Sequence, residues 1–322
     1  MNILVSGCAG FIGYHLANYL CKKYKNVKVI GFDNINNFYS IKHKIIRIQN
    51  LKKNKNFFFR KIDLCERKKL EILIKKNKIK IVFHLAAQAG VRDSLKMPES
   101  YFKSNFLGFL NIIELSKKYN IEKFIFASSS SVYGDKKKFP LKENVQIFPK
   151  NIYAATKKMN EEIGRDISVI SNMSIIGLRF FTVYGEYGRP DMFIFKYLKS
   201  LFCEKKFELF NHGNNYRDYT HIDDVVKIID KLRTKKIKKN FEIFNVCSSK
   251  PVDIQKLSIL ISKLLNKKTN IILKKRNQIE VIKTHGDNKK ILTLLNYKIK
   301  KNIFSELPKI VNWYKKNDIW RI

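Results

Sequence analysis

Short apolar segments alternate with longer, more polar segments along the first half of the chain. The apolar segments predict strands at residues 2–6, 26–32, 56–61, 81–85, 123–127 and 174–181. Helical periodicity between them predicts helices at residues 11–21, 66–76, 98–119 and 153–171. Strands that alternate with helices of this length are typical of βαβ units, so we expect an α/β fold with a doubly wound parallel sheet.

The alternation weakens beyond residue 184. Residues 241–246 (FEIFNV) still have the apolar character of a buried strand, and we expect this strand to return to the main sheet. The pattern therefore predicts a main domain at 1–183, to which 222–248 return, and a smaller, mostly C-terminal lobe at 184–322.

Composition narrows the class of protein. A hydrophobic fraction of 45% is typical of a folded, soluble chain, and no apolar run is long enough to predict membrane insertion. The five cysteines are scattered without a CxxC pair, which favours reduced thiols and a cytoplasmic location. The six histidines lack the spacing of metal ligands, so we predict no metal site.

The formal net charge of +38 allows two interpretations. A strongly basic surface is typical of proteins that bind nucleic acids or anionic membranes. The lysines are spread along the chain, however, without the interleaved aromatic residues of an RNA-binding surface. Abundant Lys, Ile and Asn instead fit a bias toward codons rich in A and T. We therefore expect no specific nucleic-acid partner, and a nucleic-acid-binding protein stays the alternative from another class.

A glycine-rich turn follows the first predicted strand. Gly7, Gly10 and Gly13 form a GxxGxxG pattern that opens the first predicted helix. Glycine lets the backbone turn tightly and approach a pyrophosphate, which the free N–H groups at the helix N-terminus then bind. Asp33 lies 20 positions after Gly13, at the end of the second predicted strand. Its carboxylate can bind ribose hydroxyls and would repel a 2′-phosphate, which predicts NAD rather than NADP.

A second pattern predicts acid–base chemistry. Tyr153 and Lys157 are four residues apart on a predicted helix, so their side chains share one face. A nearby ammonium stabilises the phenolate and makes tyrosine a usable base near neutral pH. The preceding strand ends in four serines at 128–131, and a serine there can bind the substrate oxygen that loses its proton.

Together these motifs resemble an extended short-chain dehydrogenase/reductase with a Rossmann sheet, and within that group the chain is most similar to the UDP-glucuronate 4-epimerases. The glycine turn and YxxxK specify only the superfamily, whereas AAQAGVR and RFFTVYG with GRPDM point to the uronate branch. The matching segments are GFDN at 31–34, HLAAQAGVR at 84–92, SNFLGF at 104–109, SSSSVYG at 128–134, YAATK at 153–157, RFFTVYG at 179–185, GRPDM at 188–192 and RDYTHIDD at 217–224.

The resemblance implies a reaction. Tyr153 would take the proton from the sugar 4-hydroxyl while hydride passes from C4 to NAD, Lys157 would hold the nicotinamide ribose, and Ser129 would bind the 4-oxygen. The 4-keto sugar would turn over and receive the hydride on its other face, so NAD should stay bound. The resemblance also implies an NAD-binding domain at 1–183, a substrate-binding lobe mainly at 184–322, and a homodimer through the helices at 98–119 and 153–171.

Site residues are implied by the same resemblance. Thr182 and Arg189 would contact the uronate carboxylate, and Arg217 would neutralise the diphosphate unless it pairs with Asp223 or Asp224 instead. The cofactor contacts implied are Gly7, Gly10, Phe11, Ile12, Gly13, Asp33, Asn34, Asp63, Leu64, Ala86, Ala87, Tyr153 and Lys157. The substrate contacts implied are Arg92, Ser129, Ser130, Thr182, Arg189 and Arg217.

Related enzymes differ in the fate of the keto intermediate. Sugar 4,6-dehydratases have an Asp-Glu pair where this chain has Ser130 and Ser131, and uronate decarboxylases have a Glu at the second place. Epimerisation needs neither carboxylate, so it is the predicted reaction. Other UDP-sugars (UDP-glucose, UDP-N-acetylglucosamine) and decarboxylation of UDP-glucuronate stay open. Four departures from the uronate pattern concern the sugar pocket, namely Asp93, Glu186, Tyr187 and Glu280.

Overall fold

The structure, a computed structural model, describes residues 1–268, 270–276 and 278–322. In these residues seven parallel strands form one sheet in the order β3-β2-β1-β4-β5-β6-β10. Helices cover both faces of the sheet, which confirms the predicted doubly wound fold. The strands of this sheet are β1 (Asn2–Ser6), β2 (Lys28–Asp33), β3 (Phe57–Lys61), β4 (Ile81–His84), β5 (Lys123–Ser129), β6 (Ser174–Phe180) and β10 (Phe241–Val246).

The direction of the strand order reverses at β1. This strand pairs with β2 on one side and β4 on the other, with Ser6 opposite both Phe32 and His84. In a doubly wound sheet a crevice opens beyond the carboxyl ends of the strands at such a point. The register therefore fixes where a ligand site can form, because the turns after β1 and β4 diverge there.

Two hydrophobic layers lie against the sheet, one on each face. Most residues of β1, β4 and β6 are buried, as expected for parallel strands covered on both sides. The helices are α1 (Phe11–Lys23), α2 (Ile41–Lys52), α3 (Arg67–Asn77), α4 (Pro98–Tyr101), α5 (Gly108–Lys118), α6 (Ile152–Val169), α7 (Phe193–Phe202), α8 (Ile222–Thr234), α9 (Ile254–Leu265), α10 (Lys289–Leu295) and α11 (Ile303–Lys316).

A smaller lobe packs around its own apolar cluster, which includes residues from α7, α9 and α11. Its strands form a three-stranded sheet in the order β11-β9-β7 and a parallel pair, β12-β8. The strand β10 lies outside this lobe and pairs with β6 along its length. The strands of the lobe are β7 (Thr182–Tyr184), β8 (Phe207–Leu209), β9 (Tyr216–His221), β11 (Pro251–Asp253) and β12 (Ile271–Leu273).

Three local expectations differ from the structure. The helix predicted at 98–119 is interrupted by a π-helical segment, Phe102–Leu107, which contains the buried Asn105. The helix α2 was not predicted. The strand predicted at 56–61 from its apolar character is less buried than that character implies, because Phe58 on the edge strand β3 is 40% exposed.

All five cysteines are free thiols. Within the described parts of the chain, no helix is both long enough and apolar enough to cross a membrane. The same residues hold no group of three His, Cys, Asp or Glu side chains that could bind a metal ion.

Candidate active site

One cleft of about 570 Å³ lies at the carboxyl edge of the main sheet, between the sheet and the smaller lobe. Every residue that the sequence predicts for cofactor, catalysis or substrate lines this cleft. The structure therefore brings together residues that are up to 210 positions apart, from Gly7 to Arg217. The cleft has two halves, one formed by the turns after β1, β2 and β4 and the other by loops of the smaller lobe.

The glycine turn has no room for side chains. Gly7 has φ +69°, and a Cβ atom on it would lie 2.7 Å from Cα of Ala86 in the turn after β4. A Cβ on Gly13 would lie 2.2 Å from the carbonyl oxygen of Gly7. The helix α1 starts directly after Gly10 without a side-chain cap, so its first N–H groups are available to a ligand. This cradle fits the diphosphate of a dinucleotide.

Asp33 is held in a fixed position beside the glycine turn. Its carboxylate accepts hydrogen bonds from the backbone N–H groups of Ala9, at 3.2 Å, and Ile35, at 2.8 Å. Burial raises the pKa of Asp33, and the nearby Lys44 opposes that rise. Asp63, at the end of the neighbouring strand, accepts a hydrogen bond of 2.7 Å from the Asn34 amide. The two carboxylates thus mark the rim where the adenosine end of a dinucleotide would lie.

The turn after β4 is fixed by a buried serine. The Ser6 hydroxyl oxygen accepts hydrogen bonds from the N–H groups of Leu85 and Ala86, both at 3.0 Å. The Nδ1 atom of His84 lies 2.9 Å from the same oxygen, and burial lowers the pKa of His84 to about 3. His84 is a packed core residue, with its ring near that of Phe124.

The catalytic candidates meet at the end of β5 and the start of α6. The Asn151 side chain caps α6 by accepting a hydrogen bond of 2.9 Å from the N–H of Ala154. This cap positions Tyr153 in the first turn of the helix and Lys157 one turn later, where the lysine is 1% exposed. The Lys157 ammonium donates to the carbonyl of Ala127 at 2.8 Å, and burial lowers its pKa to about 8.

The pKa of Tyr153 differs from the sequence-based expectation. Burial in the cleft raises it above the ordinary value for tyrosine, and this effect exceeds the opposing ones. A hydrogen bond with Ser129 and the positive charge of Arg189 lower it. The Lys157 ammonium lies 6.0 Å from the centroid of the Tyr153 ring and is bound to a carbonyl. The structure therefore adds Arg189 as a cation that acts on the phenol.

The serines after β5 have distinct roles in the local structure. Ser129 accepts hydrogen bonds from the Ser131 N–H, at 3.2 Å, and the Ser131 hydroxyl, at 2.8 Å. The Ser129 proton is therefore free to be donated to Tyr153 or to a ligand. Ser130 and Ser131 begin a short 3₁₀ helix, Ser130–Tyr133, so hydroxyl groups stand where a dehydratase would present carboxylates.

Arg189 approaches the catalytic group from the smaller lobe. Its Nε donates to one oxygen of Asp191 at 3.0 Å, and its Nη2 donates to the other oxygen. The Arg189 side chain is only 22% exposed. Thr182, at the start of β7, lines the same part of the cleft. Arg189 is therefore a largely buried cation of the cleft rather than an exposed loop charge.

Two further arginines line the outer part of the cleft. Nε of Arg92 pairs with Glu280, and its guanidinium lies 4.4 Å from the centroid of the Phe210 ring. Arg217 donates to the carbonyl of Ile282 at 2.9 Å, and burial lowers its pKa.

Among the described contacts Arg217 pairs with neither Asp223 nor Asp224, and its Nη1 donates instead to the carbonyls of Tyr216 and Ile282. Asp224 accepts a hydrogen bond of 2.6 Å from Tyr297, and two backbone N–H groups also donate to it. Asp224 is therefore occupied by partners other than Arg217, and Asp223 lies 3.6 Å from Nδ1 of His221.

A buried network beneath the site was missed by sequence reasoning. Arg179 donates to both oxygens of Glu161, at 2.9 and 2.7 Å, and the Ser128 hydroxyl donates to Glu161 at 2.5 Å. Glu161 lies one helical turn after Lys157, so the network ties the end of β5 to the catalytic face of α6. The spacing of Lys157 and Glu161 on α6 was the available signal, but the partners of Glu161 are remote in sequence.

The cleft, the glycine turn and the Ser-Tyr-Lys group define an enzyme of the short-chain dehydrogenase/reductase type that uses a dinucleotide. The chain belongs to the NAD dependent epimerase/dehydratase family, whose sequence pattern matches residues 3–247. The prediction of an NAD-dependent enzyme of this type is confirmed.

Relatives agree along almost the full chain. A UDP-glucuronate 4-epimerase of Thermodesulfobacterium geofontis is 37% identical over 317 residues, which cover 98% of this chain and 96% of that protein. The UDP-glucuronic acid 4-epimerase from Bacillus cereus, solved with UDP-glucuronic acid and NAD, has a TM-score of 0.92 at 31% identity and covers 98% of this chain and 100% of its own. A UDP-glucose 4-epimerase from Thermotoga maritima, solved with UDP-glucose, has a TM-score of 0.89 at 27% identity and covers 98% and 99%.

Proposed function

We propose that the protein is an epimerase that interconverts UDP-glucuronate and UDP-galacturonate by inverting the hydroxyl at C4. The observation that carries this proposal is the position of Arg189, a cation that is only 22% exposed and lines the same cleft as Ser129 and Tyr153. A guanidinium binds a planar carboxylate through two parallel hydrogen bonds. A sugar held by its C6 carboxylate at Arg189 would present C4 to Tyr153.

In this proposal Tyr153 accepts the proton of the sugar 4-hydroxyl and later returns it to the 4-oxygen. The Ser129 hydroxyl, which hydrogen-bonds with Tyr153 in the structure, would donate its proton to the 4-oxygen during both transfers. Lys157 holds positive charge below the phenol and would bind the nicotinamide ribose. Bound NAD would supply the acceptor for the C4 hydride, and the hydride would return to the opposite face of the keto sugar, so the protein should retain NAD between turnovers.

The arginines divide the substrate between them. Arg189 and Thr182 would bind the uronate carboxylate, whereas Arg217 and Arg92 would neutralise the diphosphate. Hydroxyls at Ser130 and Ser131 supply no carboxylate for dehydration or decarboxylation, which favours simple inversion. The second candidate is a 4-epimerase of UDP-glucose. It is favoured by the pairing of Arg189 with Asp191, which already satisfies part of the guanidinium.

Three wider features belong to the same proposal. The NAD-binding domain would comprise 1–183 with 222–248, supported by the pairing of β10 with β6, and 184–322 would mainly bind substrate. A homodimer is supported by apolar side chains exposed on the adjoining π-helical segment and α6, namely Phe102, Leu107 and Met159. The free thiols support a cytoplasmic location.

The test is to incubate purified protein with UDP-glucuronate, without added cofactor, and to identify the product by NMR. We expect UDP-galacturonate. UDP-pentose would show that the protein is a decarboxylase. If UDP-glucuronate is not turned over even with added NAD while UDP-glucose is, the second candidate replaces the first.

Tyr153→Phe checks the chemical step. Removing a general acid–base group typically lowers a rate by about 10²–10⁴-fold, so we expect a loss in that range with NAD still bound. Tyr119→Phe, at the far end of α5 beside Glu71, is the matched control and should keep full turnover. A Tyr153→Phe protein with normal turnover would exclude the proposed acid–base role.

A further inference from the structure

Arg47 is the largest side chain that is almost fully buried, with 1% of its surface exposed. It lies on α2, and no motif in the sequence marked it. The side chain extends from this helix to the boundary between the two halves of the cleft. Its contacts therefore show which parts of the site are joined there.

The guanidinium group donates four hydrogen bonds. Nη1 donates to the carbonyl of Ala9 in the glycine turn, at 2.9 Å, and to the Tyr39 hydroxyl, at 2.7 Å. Nη2 donates to the carbonyls of Tyr187, at 2.7 Å, and Gly188, at 3.3 Å. One planar group thus bridges the cofactor turn and the two residues that precede Arg189.

The nature of these partners is informative. All four acceptors are neutral oxygens, and Nε is buried without a partner among the described residues. Burying a charge without a carboxylate partner is costly, and an apolar residue of similar volume often stabilises a fold better. General stability is therefore a poor explanation for an arginine at this position.

The loop that receives Arg47 has further contacts, including a backbone hydrogen bond of 3.2 Å from the N–H of Gly188 to the carbonyl of Gly185. Tyr187 has φ 54°, a conformation that bulky residues rarely adopt, and its ring packs between those of Tyr14, at 4.9 Å, and Trp313, at 4.8 Å. His15 donates to the carbonyl of Glu186 at 2.9 Å. These contacts fix the outer part of the loop, whereas Arg47 fixes its backbone at the two residues before Arg189.

We propose that Arg47 is a positioning residue that sets the place of Arg189 relative to the cofactor turn, and thereby the recognition of the acidic sugar. This inference rests on the proposed function, in which Arg189 binds the uronate carboxylate. The glycine turn and the Arg189 loop both accept hydrogen bonds from the Arg47 guanidinium. Loss of this group would therefore let the carboxylate site shift relative to the nicotinamide. Tyr39 assists by accepting a hydrogen bond from Arg47 beside the cleft.

The experiment compares two ligands on the NAD-bound protein by calorimetry. UDP occupies only the nucleotide part of the site, whereas UDP-glucuronate also reaches Arg189. We expect Arg47→Met to lower the affinity for UDP-glucuronate by about tenfold and to change the affinity for UDP by less than about twofold. In an Arg189→Ala background, Arg47→Met should lower the affinity for UDP-glucuronate no further. The two residues act through the same contact, the one between Arg189 and the uronate carboxylate. Arg60→Met removes an exposed arginine and is the charge-matched control.

The outcomes separate this inference from the proposed function. The role of Arg47 would be overturned if Arg47→Met lowered the affinities for UDP and UDP-glucuronate equally, or if its loss added to that of Arg189→Ala in the double variant. Either result would leave the proposed function unaffected, provided that the wild type converts UDP-glucuronate. A wild-type protein that binds UDP but neither binds nor converts UDP-glucuronate would overturn the proposed function itself. If Arg47→Met does not fold, Arg47→Lys and Tyr39→Phe apply the same comparison, and a selective loss for UDP-glucuronate is again expected.

Discussion

The two halves of the cleft are built by different means. The cofactor half is formed by backbone at the ends of β1, β2 and β4, whose register is fixed by pairing along the sheet. The substrate half is formed mainly by the smaller lobe, which contributes Arg189 from a loop and Arg217 from β9, and Arg92 joins it from the segment after β4. These three guanidinium groups already hold partners within the protein. Arg189 is paired with Asp191, and Arg92 with Glu280. The cofactor therefore binds to a preformed backbone turn, whereas the substrate must replace hydrogen bonds that the arginines already make within the protein.

This difference has an energetic consequence. Binding at the glycine turn needs little rearrangement, so the cofactor should bind tightly and stay. Binding at the arginines requires that a substrate anion replace a protein carboxylate, or share its guanidinium, before any net gain appears. The substrate half is therefore suited to reversible exchange and to selection between ligands by charge.

Among substitutions that test the difference between the two halves, Gly13→Ala in the cofactor half is expected to have the largest effect. The added Cβ would lie 2.2 Å from the Gly7 carbonyl oxygen, so the backbone of the turn must shift. We expect the protein to purify without NAD and to show no turnover until cofactor is added. NAD content, measured by absorbance after denaturation, checks this expectation.

Gly164→Ala is the matched control, because its Cβ meets only side-chain atoms, the nearest in the rings of Phe241 and Phe126 at 3.1 and 3.3 Å. This variant should retain NAD. If Gly13→Ala also retains it, the cradle is not preformed, and the contrast between the halves fails.

Much of the cofactor half could be predicted from sequence, for a physical reason. Parallel strands buried on both faces are continuous apolar runs, so the predicted bounds 2–6 and 241–246 coincide with β1 and β10. Helices on α/β folds and glycine turns likewise have local signals. The helix α2 was missed because its apolar positions are separated by Lys42, Lys44 and Arg47, which give the segment a basic, loop-like character.

The substrate half was harder to predict because its contacts are remote in sequence. The strand β9 (YRDYTH) is polar, yet its last four residues are buried. Asp218 in this strand accepts hydrogen bonds from the N–H groups of Ser248 and Gly286, which lie 30 and 68 residues away. Similarly, the partner of Arg92 is 188 residues away. No local pattern contains such pairings, although the family resemblance indicated the residues themselves.

A smaller effect, confined to the substrate half, is expected from Arg189→Ala. Charge-assisted hydrogen bonds to a carboxylate are worth about 1.5–3 kcal/mol, so kcat/KM for UDP-glucuronate should fall by roughly 10–10²-fold while NAD content is unchanged. Arg189→Lys keeps the positive charge but lacks the planar guanidinium. Its kcat/KM for UDP-glucuronate should lie between those of the wild type and Arg189→Ala. Steady-state kinetics and the NAD assay on the same preparations check this. Equal losses of NAD and activity would mean that Arg189 supports the whole cleft rather than the sugar.

The smallest effect concerns Lys157, which lies on α6 and lines the cleft. Burial lowers its pKa to about 8, so below that pH the folded protein holds a buried ammonium that the unfolded chain would hydrate. Replacement by Met should therefore stabilise cofactor-free protein at pH 7, by about 1–2 kcal/mol, since the hydrogen bond to Ala127 offsets part of the burial cost.

The sign of the pH dependence makes this last prediction specific. As the pH rises from about 8 toward the ordinary lysine value, the unfolded chain binds more protons at this site than the folded protein does. The free energy of unfolding of the wild type therefore rises relative to that of Lys157→Met. The difference between the two proteins should shrink between pH 8 and pH 10. Urea unfolding of both proteins at several pH values measures it, with Lys158→Met on the same helix as the control. A difference that stays constant between pH 8 and pH 10 would mean that the folded and unfolded chains bind the same number of protons at this site, so burial would not lower the pKa of Lys157.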